Sequence, residues 1–302
     1  MAVTKKRTLV QAAATLLMNL NFPGFPSGQV YAGDLKRLCV PGLNCYACPG
    51  ALGSCPIGAL QSTLNDPAYR FSFYVTGSLA VFGLLLGRLV CGFLCPFGLL
   101  QELLYAISAW VRGRVRKYFP EKRPPAASVG LPPVFAALRH VKYVILLLFV
   151  ILLPLFALDY FGFGSPWFCK YICPSGMVMG ALPILTAQEG LRPLLGPTFS
   201  LKLLICVGVL VFCLFSHRFF CKYLCPLGAI YGIFNRFSFY TMALDKEKCT
   251  SCGRCARSCG MQVNPAARPN SAECIRCGAC VRTCPQGALR QGFRIAKNGK
   301  NG

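Results

Sequence analysis

The C-terminal stretch Cys249-Thr250-Ser251-Cys252-Gly253-Arg254-Cys255-Ala256-Arg257-Ser258-Cys259 and its successor, Cys274-Ile275-Arg276-Cys277-Gly278-Ala279-Cys280-Val281-Arg282-Thr283-Cys284-Pro285, decide the reading of this chain. Each has the spacing C-x2-C-x2-C-x3-C. Three thiolates this close in sequence grip one corner each of an iron–sulfur cubane, and the fourth, set further away, reaches across to a second cubane. The spacing therefore predicts Cys249, Cys252, Cys255 and Cys284 on one [4Fe-4S] cluster and Cys274, Cys277, Cys280 and Cys259 on the other. Structural zinc wants two separated pairs, which this pattern does not supply. The first run ends Cys259-Gly260 where the second ends Cys284-Pro285; the proline shapes a turn and ligates nothing, so both runs are expected to ligate.

The rest of the chain has a different composition. Its 302 residues are 55% hydrophobic and only 14% charged, with a mean hydropathy of +0.52. An average soluble domain is roughly 25% charged, so an ordinary soluble globule and a disordered chain are both excluded. The 20 cysteines would suit a secreted disulfide scaffold, but such scaffolds are small and lack long apolar runs. Residues 71–90, 144–158 (extended back to 134) and 199–215 are predicted as transmembrane helices. Residues 9–20 follow Lys5, Lys6 and Arg7 and fall short of the about 20 residues a span needs. They read either as a marginal first helix or as a signal-peptide core with Val30-Tyr31-Ala32-Gly33 as its cleavage region. The expected fold is an α-helical integral membrane protein with three to four transmembrane helices over residues 1–240, of which 1–32 are the first helix or signal. A bacterial two-[4Fe-4S] ferredoxin module follows over 241–302.

Charge sets the expected orientation. There are 32 Lys and Arg against 9 Asp and Glu, a formal +23. The bases sit beside apolar segments and cysteine motifs, not in a stripe with interleaved aromatics, so nucleic acid is not an expected partner. Arg112, Arg114, Arg116, Lys117, Lys122 and Arg123 oppose Glu121 alone, which puts their loop in the cytoplasm. Residues 159–197 carry only Lys170 and Arg192 as bases and belong outside; the basic tail after Cys225 returns inside. Arg88 and Lys202, near helix ends, are expected to snorkel to the interface. His140 and His217 read as interfacial side chains and not as haem ligands, and Cys206 and Cys213 as buried apolar thiols.

Three further pairs share C-x3-C-P: Cys91/Cys95-Pro96, Cys169/Cys173-Pro174 and Cys221/Cys225-Pro226. Glycine follows each proline by two residues, as it does in Cys55-Pro56-Ile57-Gly58. Proline is pre-set for the first helical position, so each sulfur should sit at a helix N-terminus, where the dipole favours an anionic ligand. Cys55, a helix and Cys91/Cys95 correspond to Cys173, a helix and Cys221/Cys225, which suggests an internal duplication. Cys91, Cys95, Cys221 and Cys225 should meet at the inner face as a third [4Fe-4S] site or a thiol redox site. On the outer face, Cys45, Cys48, Cys55, Cys169 and Cys173 are the ligand candidates for a further cluster, with Cys39 the weakest; disulfides compete there, because that side is oxidising.

Helices carrying C-x3-C-P pairs, followed by the eight-cysteine module, resemble the membrane polyferredoxins of the NapH type and their relatives in nitrous-oxide reductase and haem-copper oxidase assembly systems. The resemblance spans residues 69–289 and rests on Cys91/Cys95, Cys221/Cys225 and the eight module cysteines. It implies electron transfer between a cytoplasmic or quinol donor and a membrane or extracytoplasmic acceptor. The Cys39-to-Cys55 segment and the Cys169/Cys173 pair are additions to that pattern.

The expected function is thus an iron–sulfur relay in a bacterial or archaeal cell membrane, a component of an oxidoreductase system and not a stand-alone enzyme. Partners would be an acidic redox protein or flavin subunit, and the about 30 Å of hydrocarbon between face-bound sites calls for a quinone, a flavin subunit or buried clusters to fill the gap. No Rossmann or P-loop fingerprint argues for the chain's own flavin or nucleotide. Two other classes remain: a thiol-based copper reductase or metal-centre maturation factor, since thiolates select Cu(I), and a redox-sensing regulator.

Overall fold

The computed structural model describes residues 5–65, 73–118, 133–160 and 164–293. Glu121, Lys122, Arg123 and residues 71–72 of the expected second span lie outside them. The helices used below are α1 (Lys5–Met18), α2 (Pro56–Leu64), α3 (Phe73–Leu86), α4 (Leu89–Phe93) and α5 (Pro96–Tyr118). After these come α6 (Val134–Phe156), α7 (Gly176–Ala187), α8 (Pro197–Phe215), α9 (Phe219–Tyr223) and α10 (Pro226–Phe234). Strands β1 (Tyr240–Leu244) and β2 (Leu289–Phe293) pair antiparallel, Tyr240 opposite Phe293, and tie the two ends of the C-terminal module together.

Among the described residues, α6 and α8 are long and apolar enough to cross a membrane. Within the expected second span the described helix α3 ends at Leu86, where Gly87 turns into the left-handed region at φ +55°, and the chain restarts as α4.

Arg88 does not snorkel. It is fully buried, donating to the carbonyls of Ala272 and Cys221 at 2.8 and 2.9 Å and to Glu273 at 2.9 Å. A guanidinium carries five donors, and here the carbonyls and carboxylate take the place of water. Arg218 plays the corresponding part in the second half, bonded to the Cys91 carbonyl and, at 2.7 Å, to Glu102. His217 is not interfacial either, lying 3.5 Å from Glu102 and edge-on to Tyr105. Each half therefore sends an arginine to a backbone carbonyl at the other half's cysteine pair.

The N-terminal helix is built into this arrangement. Arg7 pairs with Glu102, and the buried Gln11 donates to the Cys95 carbonyl at 2.7 Å. Residues 9–20, read as a first helix or a signal core, lie within α1 and the turn after it, and α1 packs on α5. Across the halves, α5 packs on α8 and α10 packs on α3, so each helix opened by Cys-Pro leans on the apolar helix of the other half.

Candidate functional site

The C-terminal module gathers its cysteines in two groups. Cys249, Cys252, Cys255 and Cys284 line one cavity; Cys259, Cys274, Cys277 and Cys280 line another. The backbone makes this quartet geometry by repeating a turn. Gly253 and Gly278, each just after the second cysteine of its run, lie at φ +68° and +72°, a region glycine enters without strain. Cys259 joins its group although Gly260 replaces the proline.

The first group is the more open one: Cys252 is exposed, as are Lys248, Arg254 and Arg257 around it. The second is enclosed, and burial pushes the Cys274 thiol up to about 11 and the Cys280 thiol up to about 12. Bare thiols would stay protonated there; ligation to iron is what turns such a quartet into thiolates. Among the described residues, no three His, Cys, Asp or Glu side chains are gathered so as to hold a single metal ion. The C-x2-C-x2-C-x3-C pattern itself disfavours zinc and suits a cubane, whose corners keep the four thiolates apart.

In the helical body, Cys91, Cys95, Cys221 and Cys225 are all buried and within electrostatic reach of one another. The Cys-Pro-x-Gly signature has a local cause here. The Cys95 and Cys225 sulfurs each accept the N–H of the glycine three residues on, at 3.4 Å, which caps α5 and α10. The glycine is needed because a Cβ at Gly98 or Gly228 would lie 3.1 Å from the Arg218 or Arg88 guanidinium.

On the far side of this site, Cys45, Cys55, Cys169 and Cys173 line one cavity. Cys48, the fifth candidate there, is turned away, its sulfur 3.7 Å from Asn19 Oδ1. Cys39 lies outside the ring, in a short bridge with Ser54. Cys206 and Cys213 are buried on α8 and are not among the residues lining this cavity. The two sites are not separated by a membrane's thickness: a Cβ on Gly42 would meet the Cys95 Cα at 3.0 Å, and Leu43, the next residue, lines the Cys45 cavity. A bridging quinone is therefore not required between them.

A family of 4Fe-4S binding domains matches residues 68–118, 143–182 and 201–239, and another 4Fe-4S binding domain matches residues 267–290. The chain thus carries 4Fe-4S binding domains of two kinds. It binds multiple [4Fe-4S] clusters. Among its relatives, the uncharacterized protein MJ0750 of Methanocaldococcus jannaschii is 31% identical over 61% of this chain and 63% of its own length. YccM of Escherichia coli, described as a candidate electron transport protein, is 28% identical over 61% of this chain and 44% of its own. The regulatory protein NosR of Pseudomonas aeruginosa is 32% identical over 68% of this chain and 24% of its own. The chain thus spans less than two thirds of these relatives. No solved structure matches it.

This 4Fe-4S protein holds its module against the helical body at the Cys274 group. Arg276, which the motif alone would place around a cluster with Arg254, Arg257 and Arg282, is instead buried and donates to the Leu86 and Asn235 carbonyls at 3.0 and 2.8 Å. Asn235 in turn donates to the carbonyls of Ser271 and Cys274. At the centre of the contact, Gly92 of the Cys91 pair meets Ile275; a Cβ there would come within 2.6 Å of the Ile275 carbonyl oxygen. Two four-cysteine sites are in this way set back to back.

Sequence reading missed Gln101. Its Oε1 accepts the Phe220 N–H at 3.1 Å, which leaves Nε2 to point at the Cys221 sulfur, also at 3.1 Å. The available signal was its place six residues after Cys95. A Gln101→Leu variant is expected to keep its iron but lose this donor, which favours the more negative, reduced state. One hydrogen bond of about 1 kcal/mol corresponds to a fall of roughly 40 mV in a one-electron couple. Redox titration of the Cys91-site signal checks this, and an unmoved midpoint would count against the role.

Proposed function

We propose that this protein is an integral-membrane iron–sulfur electron carrier, serving as a component of a larger oxidoreductase system. The reading is carried by the unbroken order of sites: the exposed Cys249 group, the enclosed Cys274 group, and the Cys91 group met across the Gly92–Ile275 contact. Clusters bound there supply one-electron chemistry. The chain's own residues bind them, fix their spacing and exclude water from all but the first. Exposed Lys248, Arg254 and Arg257 around that first site suit an acidic redox protein or a flavin subunit as the partner there.

The apolar helices α6 and α8 and the basic stretch from Arg112 to Lys117 favour a multi-pass protein of a bacterial or archaeal cell membrane, with the module on the cytoplasmic side. The final acceptor would be a quinone or an extracytoplasmic protein. The test uses the full chain in sealed liposomes with the module outward. An impermeant reductant is added outside and an impermeant one-electron acceptor is trapped inside. The trapped acceptor should be reduced faster than in protein-free liposomes, and Cys91→Ser should abolish the difference; equal rates with and without protein would overturn the proposal.

A further inference from the structure

The C-x3-C-P device occurs twice as a complete site. In the Cys91 site, Gln101 lies six residues after Cys95, accepts the N–H of Phe220 and aims its amide at the Cys221 sulfur. Gln61 lies six residues after Cys55, accepts the N–H of Phe168 at 3.1 Å and aims its amide at the Cys169 sulfur at 3.3 Å. The turn between the paired cysteines is the same in both: Cys173 N–H reaches the Phe168 carbonyl and Cys225 N–H the Phe220 carbonyl, each at 2.9 Å. Cys55 therefore stands where Cys95 does, and Cys169/Cys173 where Cys221/Cys225 do.

The fourth position is filled by a different residue. Cys91 lies four before Cys95, whereas Cys45 lies ten before Cys55 and arrives on a loop. Gly180 makes room for its sulfur, since a Cβ there would sit 3.2 Å from it. All four sulfurs are within electrostatic reach of one another around a cavity of about 780 Å³.

We infer that Cys45, Cys55, Cys169 and Cys173 bind a further [4Fe-4S] cluster, with Gln61 as a positioning residue that donates to the Cys169 ligand. The competing state is a pair of disulfides. Two groups beside these sulfurs disfavour it: the Gln61 amide, which donates to Cys169, and the Lys202 ammonium, which lines the cavity and whose Nζ would be 3.3 Å from a Cβ on Gly176. Both suit anionic thiolate sulfur; a neutral disulfide would be a poor acceptor for either. The site extends the proposed relay by one position and rests on that reading only for its cluster chemistry. Passage of one electron oxidises the Cys91-site cluster and reduces this one.

The test is iron and acid-labile sulfide in the anaerobically purified full chain. Four cubanes give about 16 Fe and about 16 sulfides per chain. Cys55→Ser and Cys169→Ser should each lose about 4 Fe and the same reduced-state signal, while Cys48→Ser keeps about 16. Gln61→Leu should keep its iron and lower the midpoint of that one signal, a readout that does not depend on a cysteine variant folding. About 12 Fe in the wild type, unchanged by Cys169→Ser, would overturn this site and leave the relay standing; about 8 would overturn both. Disulfides among these four in denatured, unreduced protein would also overturn it.

Discussion

Cys91→Ser and Cys225→Ser are each expected to extinguish one and the same reduced-state cluster signal and to lower the iron content by about 4 per chain, with the signals of the C-terminal module intact. The two cysteines belong to different halves of the chain, Cys91 inside α4 and Cys225 at the start of α10. They share a site because Arg88 and Arg218 bind each other's half at the Cys221 and Cys91 carbonyls, with Glu273 and Glu102 balancing the two charges. Serine keeps the shape but offers a hard, protonated oxygen where a thiolate is needed, so three ligands remain and the cubane has one open corner. Electron paramagnetic resonance of dithionite-reduced protein reads the outcome. Should the two variants lose different signals, or Cys225→Ser lose none, these residues do not share a cluster.

What the sequence made legible was local in kind. The eight module cysteines, the helix starts after Cys95 and Cys225, and the correspondence of the two halves all rest on fixed spacings whose geometry the backbone imposes within a few residues. Arg88 shows where such reading stops. Next to an apolar run it reads as an interfacial charge; its burial is set by the Ala272 carbonyl and Glu273, 184 and 185 residues further along the chain. Arg7 is a second case: its sequence neighbours do not announce the ion pair it makes with Glu102. A stronger local signal was there to be read: Arg-x2-Cys-x3-Cys-Pro-x-Gly occurs at both Arg88 and Arg218, and the glutamine six after cysteine at both Gln61 and Gln101. Hydropathy is also blind to backbone conformation: Gly87, at φ +55°, ends α3 inside the second apolar run without making it any less apolar.

Glu273→Ala should loosen the module from the helical body at a cost of about 3–5 kcal/mol, the usual penalty for removing one partner of a buried ion pair. Glu273 is the single carboxylate between two fully buried bases, accepting from Arg88 at 2.9 Å and from Lys142. Burial alone would raise its carboxyl; Arg88 and then Lys142 overrule that and hold it below the usual carboxylate range. Without it, two cations face each other with no water to separate them. Other ties at this contact are hydrogen bonds to neutral acceptors, among them Arg276 to two carbonyls, Asn235 to two more, Arg139 to the Met261 and Gln262 carbonyls, Arg88 to the Ala272 carbonyl, and Lys222 to Gln262 Oε1 at 3.3 Å. Neutral oxygens do not balance the charge of Arg88 and Lys142, so the easiest relaxation is for the contact to open and admit water. The first casualty would be the meeting of Gly92 with Ile275, and with it the magnetic interaction between the Cys91-site and Cys274-site clusters. The module should keep its own iron, because none of its eight cysteines uses Glu273. Glu273→Gln, which keeps the shape and one acceptor oxygen, should fall between the variant and wild type. A thermal unfolding free energy within about 0.5 kcal/mol of wild type, together with unchanged cluster–cluster interaction, would mean that this triad does not hold the two parts of the relay together.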